Sequence, residues 1–207
     1  MNFQIKCEEM LEKIHERRDT PSLLLHACCG PCSSYVLEYL SKYFNITILY
    51  YNPNIYPEEE YRRRLEELKK FLKDCSFENT VSLVETRYLP EEYYQAVDEF
   101  KQLGERSLRC YHCYQLRMEE ACQYASKHHI EFFTTTLSIS PYKNSEWINE
   151  IGEKLEQKYG VSYLYADFKK KNGYKRSLEL SRGYNLYRQD YCGCVFSKEE
   201  RMSVIKK

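Results

Sequence analysis

The chain has 207 residues, with 31 Lys or Arg and 31 Asp or Glu, so its formal net charge is zero. This length is enough to bury a hydrophobic core without disulfide or metal staples. The balanced charge excludes a uniformly basic nucleic-acid binder, and any polyanionic partner must therefore be met by a local patch.

The N-terminal segment, residues 1–19, is charged and has a helical pattern. It lacks the apolar core and small-residue cleavage site of a signal peptide. No apolar run in the chain approaches membrane-spanning length. We therefore expect a cytoplasmic protein without a membrane partner, in a reducing compartment where clustered cysteines bind metal or do redox work.

The first half of the chain predicts strands that alternate with helices. Short apolar runs at 22–27 and 45–51 indicate two strands, separated by a helix that begins near Pro31. Pro57, followed by three glutamates, marks the start of the next helix. Residues 81–88 indicate a third strand, so the order is that of a βαβ unit extended by one strand.

The second half continues the alternation. A helix begins at about Cys110, and the apolar residues of 130–140 indicate a fourth strand. A further helix closes at Gly160, and residues 161–168 indicate a last strand.

This order predicts an α/β fold with a mainly parallel sheet and helices on both faces. We expect one domain over residues 1–207. Its segment from about 169 to 207 is polar, glycine-punctuated and rich in tyrosine, which favours a loop-rich stretch that folds over the functional site.

Seven of the ten cysteines fall into three tight groups, which are Cys28, Cys29 and Cys32; Cys110 and Cys113; and Cys192 and Cys194. The first group follows the first strand, and ligands of parallel α/β sheets collect at the carboxyl ends of strands. Gly30 allows a sharp turn there, and the start of a helix at Pro31 favours a thiolate on Cys32. The CxxC pair suits a metal, a cluster or a dithiol switch, and the CGC pair can clamp a metal.

A cubane 4Fe–4S cluster takes four thiolates, and so does a structural zinc ion. Seven thiols exceed that number, and the surplus indicates a second metal or a redox dithiol able to close as a disulfide. Two structural zinc sites are the alternative, completed by histidines from the set His26, His112, His128 and His129. Such sites normally stabilise domains too small for a core, and His26 lies in an apolar strand, where a hydrogen-bonded core histidine is expected.

Polar residues at the predicted carboxyl edge of the sheet, or beside the last cysteine pair, are candidates for substrate contact: Asn52, Asn54, Lys143, Asn144, Asp167, Lys175, Arg176 and Arg188. The two asparagines can hydrogen-bond a base or sugar, and a simple asparagine-stabilised turn is the alternative. Aromatic residues within the basic run 168–177 favour nucleic-acid contact. Asp190 can protonate a substrate oxygen, orient a thiol or ligate iron.

Six motifs occur in order across nearly the whole chain: HACCGPCSS, YNPNIYPEEEYRRR, RCYHCYQLR, TTLSISPYKN, DFKKKNGYKRS and YRQDYCGC. Together they resemble the cobalamin-independent epoxyqueuosine reductases, with no departure among these motifs. The resemblance implies two-electron reduction of epoxyqueuosine to queuosine at the wobble position of a tRNA anticodon, the last step of queuosine biosynthesis. It also implies a fold similar to the adenine-nucleotide α-hydrolase group, in which the cysteine turn replaces the pyrophosphate-binding loop.

The same resemblance implies an iron–sulfur cluster with a nearby metal. We expect a 4Fe–4S cluster, an additional mononuclear iron and an electron donor of unknown identity. The candidate cofactor ligands are Cys28, Cys29, Cys110 and Cys113, and the preferred hypothesis gives the cluster Cys28 or Cys29 together with Cys110 and Cys113. It leaves the catalytic second site to the CGC pair, Cys192 and Cys194, with Asp190 or a tyrosine delivering protons.

Two other classes of function stay open at this point. A tRNA thiolase would need ATP, and the end of the first strand lacks a Ser-Gly-Gly phosphate loop. A zinc-stabilised RNA-binding module would need no catalysis.

Overall fold

The structure, a computed structural model, describes residues 2–205. Its main elements alternate in chain order between helices and strands, which are α1 (Phe3–Glu16), β1 (Ser22–His26), α2 (Gly30–Leu40), β2 (Asn45–Tyr50), α3 (Glu58–Asp74), β3 (Val81–Glu85), α4 (Pro90–Val97), α5 (Leu108–Lys127), β4 (Phe132–Thr135), α6 (Ser145–Tyr159), β5 (Ser162–Tyr163), α7 (Gly173–Gly183) and α8 (Val195–Ile205). Short 3-10 turns cover Asp98–Phe100 and Thr136–Ile139.

The five strands form one sheet in the order β3-β2-β1-β4-β5, and every pair is parallel. In the register, Leu24 of β1 lies between Thr47 of β2 and Phe133 of β4. The chain runs outward from β1 to β2 and β3 on one side and returns to β4 and β5 on the other. The sheet therefore has its topological switch point beside β1, where ligands of open α/β sheets bind.

The apolar residues of β1 face both sides of the sheet in alternation, as the period of a strand requires. Leu23 and Leu25 pack in a core with side chains of α1, α2 and α3, whereas Leu24 packs in a second core with α5 and α6. All three leucines are fully buried. The prediction of an α/β fold with a parallel sheet covered on both faces is confirmed.

Two helices, α7 and α8, lie in the segment that the sequence predicts to be loop-rich. The buried face of α7 consists of Gly173, Ser177, Leu180 and Ser181, so only one large apolar residue marks it. Without an apolar stripe the helical period is invisible in the sequence. Met1, Lys206 and Lys207 lie outside the described residues, and one domain over 1–207 stays a prediction. Across 2–205, each helix is too short or too polar to cross a membrane.

Gly152 lies on the buried side of α6, where an added Cβ would come within 2.3 Å of the Tyr163 ring. We expect Gly152→Ala to lower the free energy of unfolding by about 1–3 kcal/mol, because the buried ring cannot move without overpacking its neighbours. Urea unfolding followed by circular dichroism measures the loss.

Gly183→Ala is the matched control for this substitution. Gly183 ends α7, and a Cβ there meets nothing within 4 Å. The change should be neutral or stabilising by up to about 1 kcal/mol, since alanine has the higher helix propensity. Equal losses in the two variants would contradict the steric explanation for Gly152.

Candidate functional site

The turn after β1 gathers three thiols. The Sγ atoms of Cys28, Cys29 and Cys32 all lie within 4.8 Å of one another, and those of Cys28 and Cys29 are 3.8 Å apart. Cys29 is the N-cap of α2 in extended conformation, and its sulfur accepts a hydrogen bond from the Cys32 N–H at 3.4 Å. The start of the helix thus folds the three sulfurs into a group that one metal centre can contact.

The three thiols differ in acidity. Hydrogen bonding with Cys29 and Cys32 lowers the pKa of Cys28 well below its ordinary value. The same interaction with Cys28 raises the pKa of Cys29 to about 12 and that of Cys32 well above its ordinary value. In the metal-free group, hydrogen bonds from the two neighbouring thiols thus favour the charge on Cys28, and a thiolate on Cys32 stays a prediction.

The CxxC and CGC pairs form a second group. Cys113 and Cys194 are buried in one small apolar cluster with Tyr93 and Val97. Burial, followed by the charges of Cys192 and Cys194, raises the pKa of Cys110, and burial raises that of Cys113 to about 12. The two pairs, far apart in sequence, therefore share one site. All ten cysteines are free thiols in the structure.

The backbone geometry explains why a glycine lies between the two cysteines of the CGC pair. Gly193 has φ +133°, a conformation that residues with a Cβ rarely adopt. An added Cβ would also lie 2.9 Å from Nη1 of Arg64. The same Nη1 donates to the Cys192 carbonyl at 3.1 Å, so the CGC turn is held directly against this arginine.

Segment 187–194 connects the second group to the turn after β1. The Gln189 amide Nε2 lies 3.5 Å from the Cys29 sulfur. Lys143, on the loop after β4, is half-buried among sulfurs of both groups. Burial opposes its charge, but these sulfurs, chiefly those of Cys192 and Cys28, raise the pKa of Lys143 above its ordinary value. The structure thus brings the three cysteine groups together at the carboxyl end of β1.

Two buried arginines border the site and were not among the sequence candidates. Arg64 is 1% exposed, and its Nε donates to Glu60 at 2.7 Å. Arg117 is 2% exposed, and its Nε donates to the Cys113 carbonyl at 3.1 Å. The Nη2 atom of each has no hydrogen-bond partner within residues 2–205. Arg117 follows Cys113 by four residues, a spacing that places both on one face of a helix, and this signal was available in the sequence.

Unpartnered amide oxygens lie in the loop after β2. The Nδ2 of Asn52 donates to the Ala27 carbonyl at 2.8 Å and fixes this loop beside the end of β1. The Oδ1 atoms of Asn52 and Asn54 are buried without a partner in the described part of the chain. A buried acceptor left in this way costs about 1–3 kcal/mol, and a polar partner that reached these oxygens would recover that cost.

Three candidates on the loops after β4 and β5 and on α7 have partners within the fold. Asn144 caps α6, and its Oδ1 accepts from the Glu146 N–H at 2.9 Å. The buried Asp167 accepts from Ser145 Oγ at 3.3 Å and pairs with Lys169. Arg176 forms an ion pair with Glu38 of α2, which ties α7 to its neighbour. A role in substrate binding for these three stays a prediction.

The remaining candidates are exposed. Lys175 projects from α7, and Arg188 donates to Ser181 Oγ at 3.2 Å. The Asp190 side chain is 65% exposed, and its carboxylate lies 3.8 Å from Arg201 Nε. Asp190 lies two residues before Cys192, and its carboxylate is open to solvent.

The histidines are not grouped with the thiols. His26 is fully buried, and its ring nitrogens are paired with Thr135 Oγ1 at 2.9 Å and the Tyr51 carbonyl at 3.1 Å. Burial lowers its pKa to about 4, so it is a neutral, hydrogen-bonded core residue as predicted. His128 and His129 lie just after the end of α5, eighteen and nineteen residues beyond Cys110, which is about 27 Å at the rise of a helix. The zinc alternative therefore gains no ligands from them.

Comparison with known proteins shows the family of this chain. The profile of the family described as "Epoxyqueuosine reductase QueH" matches residues 23–200. A protein of that name from Streptococcus pyogenes serotype M1 is 40% identical over 95% of this chain and 78% of its own length. The protein of that name from Staphylococcus epidermidis is 39% identical over 95% of this chain and 86% of its own length. The one from Thermotoga maritima is 38% identical over 87% of this chain and 92% of its own length. The chain belongs to the epoxyqueuosine reductase QueH family.

Proposed function

We propose that this protein reduces epoxyqueuosine to queuosine at the wobble position of a tRNA anticodon. The observations that support the proposal are the group of three thiols at the end of β1 and the packing of Cys113 against Cys194 from two distant segments, in a chain of this family. The reaction takes up two electrons and two protons, breaks both epoxide C–O bonds, and yields an alkene and water. A site of this kind needs a redox centre, a proton source and polar groups that hold the substrate.

The thiols present fit an iron–sulfur centre. Four thiolates hold a cubane cluster, and the cluster keeps a negative charge that second-shell donors and cations balance. Arg64, Arg117 and Lys143 supply that positive charge, and both arginines have an unpartnered Nη2. The sulfur-rich donor set and its buried cations suit such a cluster better than a magnesium or calcium site.

In this proposal, the ligands of the 4Fe–4S cluster are Cys28, Cys29, Cys110 and Cys113. An additional mononuclear iron or a redox dithiol uses Cys192 and Cys194, with Cys32 as a further ligand of the turn. When bound, the iron centre supplies electrons and acts as a Lewis acid toward the epoxide oxygen.

The chain's own residues orient the substrate and supply protons. The free Oδ1 atoms of Asn52 and Asn54 accept hydrogen bonds from hydroxyl or amino groups of the substrate. Lys143 stays protonated beside the sulfurs and donates a hydrogen bond to developing negative charge. Asp190 is in contact with solvent and relays protons to the site beside the CGC pair. The electron donor remains unidentified, and a cytoplasmic location stays a prediction.

Metal analysis combined with turnover tests this proposal. Protein purified without oxygen should be brown, contain iron and sulfide, and convert epoxyqueuosine in a tRNA to queuosine with a chemical reductant. Prolonged treatment with an iron chelator should lower turnover at least about 100-fold, because the thiols then lack the redox centre. Reconstitution with iron and sulfide should restore turnover.

Zinc is the informative control for that experiment. Full turnover by a metal-free preparation would overturn the iron-dependent reaction. A colourless protein that binds RNA and holds stoichiometric zinc, with no turnover after iron reconstitution, would support the RNA-binding module instead.

A further inference from the structure

Two exposed tyrosines flank the thiol turn. Tyr56 lies in the loop after β2 and Tyr142 in the loop after β4, and these are the two strands that pair with β1 on either side. Tyr56 is 42% exposed and Tyr142 is 61% exposed. Because the strands are parallel, their following loops leave the same edge of the sheet. The tyrosines therefore lie on opposite sides of the turn that carries Cys28.

Tyr142 is connected to the thiol site through its neighbours. The guanidinium of Arg106 lies 5.5 Å from the centre of its ring. Arg106 has a positive φ of 65° and lies two residues before α5, the helix that carries Cys110 and Cys113. The next residue in the Tyr142 loop is Lys143, which lies among the sulfurs. A cation and an exposed ring are thus held together at one side of the site.

Tyr56 has the same kind of arrangement on the other side. The Lys198 ammonium lies 5.6 Å from the centre of its ring. The Tyr56 N–H donates to the Gly193 carbonyl at 2.8 Å, and the Tyr191 hydroxyl donates to the Tyr56 carbonyl at 2.6 Å. The backbone of Tyr56 is therefore fixed to the CGC turn, while its ring stays open to solvent.

We propose that Tyr56 and Tyr142 are stacking platforms for two bases of a single-stranded RNA loop, one on each side of the nucleotide that enters the thiol site. Arg106 and Lys198 then lie beside the neighbouring phosphates. Exposed rings next to cations are the usual means of holding unpaired bases, and this chain has no overall basic charge to attract RNA otherwise. This inference rests on the proposed function and identifies the surface that binds the RNA substrate.

The test is the affinity of the iron-loaded protein for a fluorescein-labelled anticodon stem-loop with guanosine at the wobble position, measured by anisotropy. Tyr142→Ala and Tyr56→Ala should each raise Kd at least about fivefold, the lower range for loss of one base stack. Tyr142→Phe and Tyr56→Phe should stay within about twofold, since stacking needs the ring and not the hydroxyl. Arg106→Asn tolerates the positive φ and should flatten the salt dependence by about one phosphate contact.

Lys42→Ala is the charge control. Lys42 is exposed just after α2, at the end of the sheet opposite the thiol turn, so its loss should leave Kd within about twofold. Far-ultraviolet circular dichroism and visible absorption of each variant confirm that fold and metal content are retained.

Abasic RNA separates a stack from a general loss of affinity. Removing the base on one side of the wobble position should weaken binding to the wild-type protein. It should not weaken binding any further in the alanine variant that lacks the tyrosine stacked on that base. The inference would be overturned if the alanine variants had the wild-type Kd. It would also be overturned if each abasic site raised Kd by the same factor in the wild type and in both alanine variants. Failure of the wild type to bind this stem-loop better than a scrambled hairpin would instead count against the proposed function.

Discussion

Arg117→Met is expected to reduce retention of the iron centre by about 10- to 100-fold, as loss of a partner outside the ligand shell typically does. The guanidinium is almost fully buried and faces sulfurs of both thiol groups, chiefly Cys113 and Cys192. Removing its charge leaves the bound thiolates with one buried counter-charge fewer, and a buried charge that is not fully compensated costs several kcal/mol. The half-time of bleaching by a chelator under anaerobic conditions measures the effect.

The same substitution should leave the metal-free protein as stable as the wild type, or stabilise it by about 1–3 kcal/mol. Arg117 has an unpartnered Nη2 and no carboxylate partner in the described chain, and methionine of similar length relieves that cost. Urea unfolding of chelator-treated protein tests this arm. Arg176→Met, which removes an exposed ion pair with Glu38, is the control and should change both measurements little. Equal destabilisation of the loaded and metal-free forms of Arg117→Met would show a purely structural role.

Serine substitution should divide the clustered cysteines into two classes. Cys28→Ser, Cys29→Ser, Cys110→Ser and Cys113→Ser should lose most of the visible absorption and iron, because each removes a proposed cluster ligand. Cys192→Ser and Cys194→Ser should keep the absorption of the cluster but lower turnover at least about 100-fold, since they remove the second site. Iron, sulfide and turnover are measured separately on each anaerobically purified variant.

Cys75→Ser is the matched control, because Cys75 is half-buried outside the thiol groups and contacts Tyr184 at 3.6 Å. It should keep full iron content and turnover. Because Cys113 packs closely with Cys194, a cluster held by the CxxC and CGC pairs is the alternative to the proposed ligand set. Loss of colour in Cys194→Ser, with its retention in Cys28→Ser and Cys29→Ser, would move the cluster to the CxxC and CGC pairs.

Much of the fold could be read from the order of apolar runs. The leucines of β1 are continuous because both faces of that strand are covered, and this predicts a central parallel strand. The thiol turn could be placed at its end because Gly30 and Pro31 mark the start of a helix. By contrast, β5 is limited to Ser162–Tyr163, although the apolar run predicts a strand over 161–168. A buried loop and a strand can have the same apolar composition, so the sequence does not show where the strand ends.

The site was foreseeable in its chemistry and less so in its electrostatics. The reactive residue types and their three groups are visible in the sequence, because cysteine spacing is local. The charge on Cys28 is not decided locally, since it depends in part on cations from distant segments, Arg117 of α5 and Lys143 of the loop after β4. The exposure of Asp190 also depends on how segment 187–194 crosses the site.

Local patterns in the chain were enough to predict a parallel α/β fold, a thiol-rich turn at the end of the first strand and a family resemblance carried by six separated motifs. The burial of Arg64 and Arg117 beside these thiols became visible only in the folded protein. Arg64 stands among three consecutive arginines, and only packing at the CGC turn removes one of them from water. Burial is a property of contacts between distant segments, so local patterns reveal which side chains are present but not which charges the fold encloses.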